Sequence, residues 1–413
     1  MIISVAISVV ENISSTSLRD ILVFCLPSLT SFAHIYCAIK RIVFWPRLVR
    51  SLLYSVRTMD TKPHFFHLPN HIREQIYRYY VFVDGGYVYN PETHKLRAAN
   101  GGFIDLSLMY TCRDIFFDMT GLPLRTNTIT FYPFYPEESL YFAYLQGIML
   151  LQTHHQRCEM FRSAKRCYTE KVKAQFCEIF PQLMSIFDDF SADLRLENIG
   201  HAPSQVYDAM GYALKLASSH PNYEKDLAHL KYQWGDTMKL DLDRLRKMYR
   251  RPWEVITPND IDHPEIFHEF RGGLHPSIKL TKYGFSAAAL ARRYLDSISL
   301  TVFANMRRII LEEDHPAVAM SACHARGLIP FCRFHGLLRI ERRVHLWKNI
   351  FVEGALARSC KYIPICPPIR SIDVLDARLS ESMTRSVALW TIEAQALIEA
   401  GMPVKSFSLV FRK

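Results

Sequence analysis

A chain of 413 residues with 49% apolar and 13% aromatic content has ample material for a buried core and length for two or three domains, which excludes a disordered chain. The net charge of +10 and pI near 9.0 favour acidic partners, but the excess is spread along the chain rather than gathered in a basic tail. Ten cysteines (Cys25, Cys37, Cys112, Cys158, Cys167, Cys177, Cys323, Cys332, Cys360 and Cys366) lack the density of a secreted disulfide framework, so reduced thiols in a cytoplasmic or nuclear setting are expected.

Residues 1–58 form a hydrophobic extension. MIISVAISVV lacks the basic start of a secretory signal. Residues 21–39, ILVFCLPSLTSFAHIYCAI, carry no Lys, Arg, Asp or Glu and are followed by Lys40, Arg41, Arg47 and Arg50. That is the pattern of a single membrane span with its C-terminal side cytoplasmic, although Pro27, Ser28, Thr30, Ser31 and His34 interrupt it. The alternatives are a helical pair packed on the domain, or a stretch upstream of the biological start, for which Met59 is a natural first residue.

FFHLPNHIREQIYRYYVF, residues 65–82, places Leu68-Pro69 ahead of an amphipathic helix; proline suits a first turn because it has no amide hydrogen to lose there. Leu68, Ile72, Ile76, Tyr79, Tyr80 and Val83 share one face, with Arg73, Glu74 and Arg78 opposite. VDGGYVYNPETHKLRAANGG then brackets YVY and HKLR with turn residues, which predicts a small hairpin. IDLSLMYTCRDIFFDM, residues 104–119, repeats Leu108, Met109, Cys112, Ile115, Phe116 and Met119 at helical spacing. NTITF, residues 127–131, alternates as a strand.

The series LPxxIRxxIYxY, LSLMYTCRDIF and NTITF resembles the F-box-like proteins abundant in filamentous fungi, over residues 65–132. The resemblance implies a module that docks on the adaptor subunit of a cullin-RING ubiquitin ligase while the rest of the chain selects a substrate. It implies Leu68, Pro69, Ile72, Ile76 and Tyr80 as adaptor contacts, supported by Leu108, Cys112, Ile115 and Phe116. KYGFSAAALARRYLDSI, NMRRIILEEDHPAVA, CHARGLIPFC, LRIERRVHLWKNIF and LIEAGMPVKSFSLVF look like blocks of the same family, and imply membership rather than chemistry.

The remainder reads as helix-rich α+β with few strands. Residues 136–190 are helical in pattern, with Leu140, Tyr144, Ile148 and Leu151 on the apolar face, and Gly200-His201-Ala202-Pro203 is the best internal linker. SQVYDAMGYALKLASS and YEKDLAHLKYQWGDT predict two more helices, ITPNDIDHPEIF a short capped one, and FSAAALARRYLDSI a small-residue helix. MRRIILEED predicts a buried strand ending in an acidic turn. LLRIERRVHLWKNIF predicts a basic helix with Ile340, Val344, Trp347 and Phe351 as its stripe. ALWTIEAQALIEA closes with Gly401 as a C-cap, followed by a strand with Phe407, Leu409 and Phe411 on one face. The expected organisation is 1–58 extension, 62–135 F-box-like module, 136–200 helical segment and 201–413 C-terminal domain.

Catalytic and metal signals are weak. Cys323, His324, Cys332 and His335 fall within thirteen residues, but only Cys332 and His335 have zinc-ligand spacing. Glu312, Glu313, Asp314 and His315 form an acidic knot that reads as a solvated turn rather than a carboxylate or magnesium site. HEFRGGLH, residues 268–275, lacks HExxH spacing, and the chain contains no GxSxG, Walker A or GxGxxG. LRKMYRRPW and LRIERRVHLWK interleave Arg with aromatics as nucleic-acid surfaces do, and equally as solvated helix faces do. The expected function is therefore a non-enzymatic protein-interaction module without metal or cofactor. Its alternatives are a structural domain with no ligase link, an enzyme of unrecognised class, or a nucleic-acid-associated regulator.

Overall fold

The computed structural model describes residues 65–135, 156–188, 200–233, 251–255, 284–318, 320–352 and 373–413, with a few positions between 143 and 154. The candidate span at 21–39, the apolar face at Leu140, Tyr144, Ile148 and Leu151, the segments 256–267 and 268–275, and Cys360 and Cys366 lie outside the described residues. No helix among the described residues is long and apolar enough to cross a membrane.

The fold is α+β with a six-stranded sheet, ordered β2-β1-β3-β4-β5-β6. Its strands are β1 Tyr87–Asn90, β2 Lys95–Ala98, β3 Ile129–Phe131, β4 Arg308–Glu313, β5 Arg339–His345 and β6 Phe407–Arg412. Two compact units divide the chain: residues up to Ile129 with Ser299–Arg308, and Thr130–Ile298 with Ile309–Lys413. These differ from the expected organisation because nothing local in the sequence announces that 299–308 rejoins the first unit.

In the first unit a 3-10 turn, Phe65–His67, leads into α1, Asn70–Val81, with Pro69 immediately before it. Segment 104–119, expected as one helix, is a 3-10 turn at Ser107–Tyr110 and a separate α2 at Arg113–Met119, because Cys112 is extended (φ −158°). Asp105 Oδ1 accepts from Ser107 N (2.9 Å) and opens the turn. α3, Leu122–Thr126, completes the group. Tyr77, Val81, Met119 and Leu122 form the dry centre, with Phe65, Tyr80, Leu108, Met109 and Ile115 packed around it. The hairpin forms as expected, with Tyr87 opposite Ala98 and Asn90 opposite Lys95. Asn90 Oδ1 accepts from Glu92 N (2.9 Å) and Thr93 N (3.0 Å), an Asx turn that fixes the loop. α8, Leu300–Phe303, also belongs to this unit.

In the second unit a helical core gathers residues from both sides of Gly200. α4 (Glu170–Ile179), α5 (Pro203–Ala217) and α6 (Tyr223–Gln233) contribute, as does the 3-10 segment Pro181–Phe187. Phe161, Phe176, Leu183, Phe187, Val206, Met210, Leu214 and Leu227 pack in one cluster, so the expected linker at 200–203 connects elements of a shared core. α7, Ala287–Ser297, is capped by Ser286, whose Oγ accepts from Ala289 N (3.1 Å); its alanines are buried, as its composition predicts.

LRIERRVH is a strand rather than the expected helix. Ile340, Arg342 and Val344 point inward and alternate with Arg339, Glu341, Arg343 and His345, and β5 pairs parallel with β6 from Ile340–Phe407 to His345–Arg412. The inward Arg342 breaks the apolar alternation that would have signalled a strand. A π-helical turn, Leu346–Ile350, follows, and Trp347 is exposed. α9 is Ile329–Phe334 and α10 is Asp373–Glu399. Gly401 (φ +97°) ends α10 as expected: Met402 N donates to Leu397 O (2.9 Å) and both side chains are buried, a Schellman closure.

Candidate functional site

Two groups of residues carry the functional expectations, one in each unit. In the first, the helical stripe is largely core. Leu68 and Ile72 are buried, and Pro69, Ile76 and Tyr80 are half-buried. Tyr77 takes the deep position expected of Tyr79 or Tyr80, since it lies one helical turn from both Arg73 and Val81. Burial, with Asp118 adjacent, pushes the Tyr77 phenol well above its usual range. Arg73, expected to face solvent, instead ties the module together. Its Nε donates to Asp118 Oδ2 (3.2 Å) and its Nη1 to Phe66 O (3.2 Å), across the start of α1 and the end of α2.

Tyr80 spends its hydroxyl inside the unit, on Ser107 Oγ (3.1 Å) and Leu108 N (3.2 Å). Buried Asn127 closes the far end of α1: its Oδ1 accepts from Val83 N (2.8 Å) while its Nδ2 donates to Val81 O (2.7 Å) and Pro123 O (2.9 Å). The apolar surface that remains is largely aromatic, with Leu300 and Val302 of α8 exposed as well. Phe116 and Phe117 are 42% and 60% exposed, stand edge to face at 5.8 Å, and carry the Arg113 guanidinium over the Phe117 ring at 5.5 Å. Tyr110 and Phe103 are exposed as well, and Cys112 is an exposed free thiol. Phe116 falls in the helical repeat of residues 104–119, whereas Phe117 carries no such signal in the sequence. A seven-residue helix has one buried face, here Ile115 and Met119 at i and i+4, which leaves both phenylalanines outside.

In the second unit, the acidic knot is not a solvated turn. Glu313, fully buried at the end of β4, meets Arg342, 1% exposed. Arg342 Nε (3.0 Å) and Nη2 (2.7 Å) donate to Glu313 Oε1, Nη2 also donates to Ser321 O (2.7 Å), and Nη1 to Ala322 O (2.9 Å). The guanidinium lies over the Trp390 ring at 4.4 Å. Ala287 N (3.1 Å) and Ala288 N (3.3 Å) at the start of α7 donate to the same carboxylate, which is where a helix dipole favours an anion. Glu312 accepts from Arg343 (2.8 Å) and Arg412 (3.3 Å), and Asp314 lies 3.1 Å from His315 Nδ1. Glu312 and Glu313 thus join β4, β5, β6 and the start of α7, and Arg342 extends the joint to Trp390 of α10.

No family model, curated protein or solved structure matches the chain. Of the remaining chemical candidates, Cys323, His324 and Cys332 are buried and His335 is half-buried. His324 Nδ1 shares a 2.7 Å hydrogen bond with Ser286 Oγ, the α7 cap, so this Ser–His pair is part of the core. Burial pushes the Cys323 thiol well above its usual range and that of Cys332 up to about 12, which disfavours the thiolate a metal or nucleophile role needs. No group of three or more His, Cys, Asp or Glu among the described residues is arranged to hold a metal ion.

Proposed function

We propose that residues 65–132 are an F-box-like module that docks the chain on the adaptor subunit of a cullin-RING ubiquitin ligase, and that the second unit selects the protein to be modified. The observation that carries the reading is the exposed aromatic set on the short helices after the Leu-Pro helix: Tyr110, Phe116 and Phe117 keep large rings in water. Aromatic rings of this kind are the usual anchors of protein interfaces. Of the five adaptor contacts that the family resemblance implies, Leu68 and Ile72 are held in the core, so the docking surface consists of Pro69, Ile76 and Tyr80 together with Phe116 and Phe117.

The burial of Leu68 and Ile72 favours a second reading, in which the helices are the nucleus of the unit and have no ligase partner. The two separate in a titration of purified adaptor into the full chain. A Phe116→Ser, Phe117→Ser double variant removes exposed rings while leaving the dry centre intact. Under the adaptor reading it loses binding with its thermal transition unchanged; under the structural reading neither protein binds. Leu68→Ala is unsuitable, because truncating a buried leucine costs about 2–5 kcal/mol and confounds docking with unfolding.

A further inference from the structure

We propose that the edge of β6, unpaired among the described residues, is a strand-addition site for an extended, acid-flanked segment of a protein partner. The sheet ends at β6 among the described residues. Ile340 N donates to Ser406 O (2.8 Å), and the parallel register runs from Ile340–Phe407 to His345–Arg412. In a parallel ladder, backbone groups of alternate residues face the same neighbour. The N–H and C=O groups of Ser408, Val410 and Arg412 therefore face β5, and those of Phe407, Leu409 and Phe411 face outward. Their side chains are nonetheless anchored, because Leu409 and Phe411 pack on the Trp390 cluster. The edge is thus a rigid row of backbone donors and acceptors, the template an added strand requires.

Two features select the occupant. Edge strands are ordinarily blunted by charge or proline, as β2 is by Lys95 and Arg97, yet SFSLVF, residues 406–411, contains neither. The cations stand at its ends instead: exposed Lys405 before it and exposed Lys413 after it, beside Arg412, which reaches Glu312 (3.3 Å). Antiparallel pairing of two copies centred on Leu409 would bring Lys405 of each beside Lys413 of the other, so like charges oppose self-association. A partner strand with an apolar centre and carboxylates at both ends meets complementary charge at each end. This inference does not rest on the adaptor reading, since β6 belongs to the second unit.

The test is residue-resolved amide hydrogen exchange on the full chain, with and without the end-blocked probe peptide Asp-Val-Thr-Val-Thr-Val-Asp. In the free chain Ser408, Val410 and Arg412 are protected while Phe407, Leu409 and Phe411 exchange rapidly; the peptide protects the second set. Replacing both terminal Asp of the probe by Lys weakens binding roughly tenfold or more, from two ion pairs exchanged for two repulsions. Val410→Glu, on the solvent face, weakens the Asp-ended probe similarly and leaves the β5–β6 protection unchanged. Protection of Phe407, Leu409 and Phe411 without peptide overturns the proposal: a concentration-independent result means the chain covers its own edge, and a concentration-dependent one means a second copy does. Failure of the Asp-ended probe to bind overturns it as well.

Discussion

Replacing Arg342 by Met should be among the most damaging single changes in the second unit. The side chain is 1% exposed and donates to Glu313 Oε1 (2.7 and 3.0 Å), Ser321 O (2.7 Å) and Ala322 O (2.9 Å), with its cation over Trp390. Its loss leaves Glu313 with only the Ala287 and Ala288 amides, a charge in a dry site with no countercharge. Breaking one side of a buried pair costs about 3–5 kcal/mol. Removing both charges, in Arg342→Met with Glu313→Leu, abolishes that uncompensated charge and leaves the two amides without their acceptor, at about 1–3 kcal/mol. The double variant is therefore predicted to be more stable than Arg342→Met alone by roughly 2 kcal/mol, the non-additivity expected of a coupled pair. Urea unfolding followed by tryptophan emission measures this, since Trp390 lies against the guanidinium. A single-variant cost under about 1 kcal/mol, or strict additivity, would refute the view that this joint holds the strands to α7 and α10.

Glu393, buried in α10, caps α5 from a distance: its carboxylate accepts from Ser204 N (2.8 Å) and Ser204 Oγ (2.6 Å). Burial pushes its pKa above the ordinary value, against the Ser204 hydrogen bonds and nearby Arg326, which lower it. The folded state therefore holds the proton more tightly than the unfolded state, and this group's contribution to stability falls as pH rises from the ordinary carboxylate value through the raised one. Glu393→Gln should flatten that slope in urea unfolding as the pH is raised above the ordinary carboxylate value; equal slopes would contradict the assignment. Gly86→Ala should cost at least about 2 kcal/mol, because Gly86 has φ +75° and a Cβ would lie 2.3 Å from Thr128 O, whose bond from Tyr87 N (2.8 Å) joins β1 to the strand beside it. A cost below about 0.5 kcal/mol would show that the turn relaxes freely. Asn127→Ala should cost about 2–4 kcal/mol, since three hydrogen bonds at the end of α1 depend on that amide; unchanged stability would mean that water replaces it.

Much of the fold was legible where local pattern and tertiary role agree. The Leu-Pro helix, the hairpin between glycine pairs, the small-residue α7 and the Gly401 closure of α10 each follow from spacing and turn chemistry. What escaped the sequence depends on partners distant along the chain. Glu313 and Arg342 lie 29 residues apart, and each looks like a solvated charge until the other is placed beside it. The same arginine disguised β5 as a helix, because an inward cation reads as polar in a period-two pattern. The stripe of α1 was visible, but which of its tyrosines is dry was not, since that is decided by where α2 and α3 lie. The docking candidates shifted for the same reason: Leu68 and Ile72 went to the core and Phe117 to the surface.

The central claim is that the first unit is a docking module, and calorimetric titration of the purified cullin adaptor into the full chain tests it most directly. The account predicts one-to-one binding that the Phe116→Ser, Phe117→Ser variant weakens by about thirtyfold or more, as removal of an anchor worth about 2 kcal/mol or more implies, with no change in the variant's melting. Absence of heat with the unaltered chain, or equal affinity for the folded variant, would contradict it.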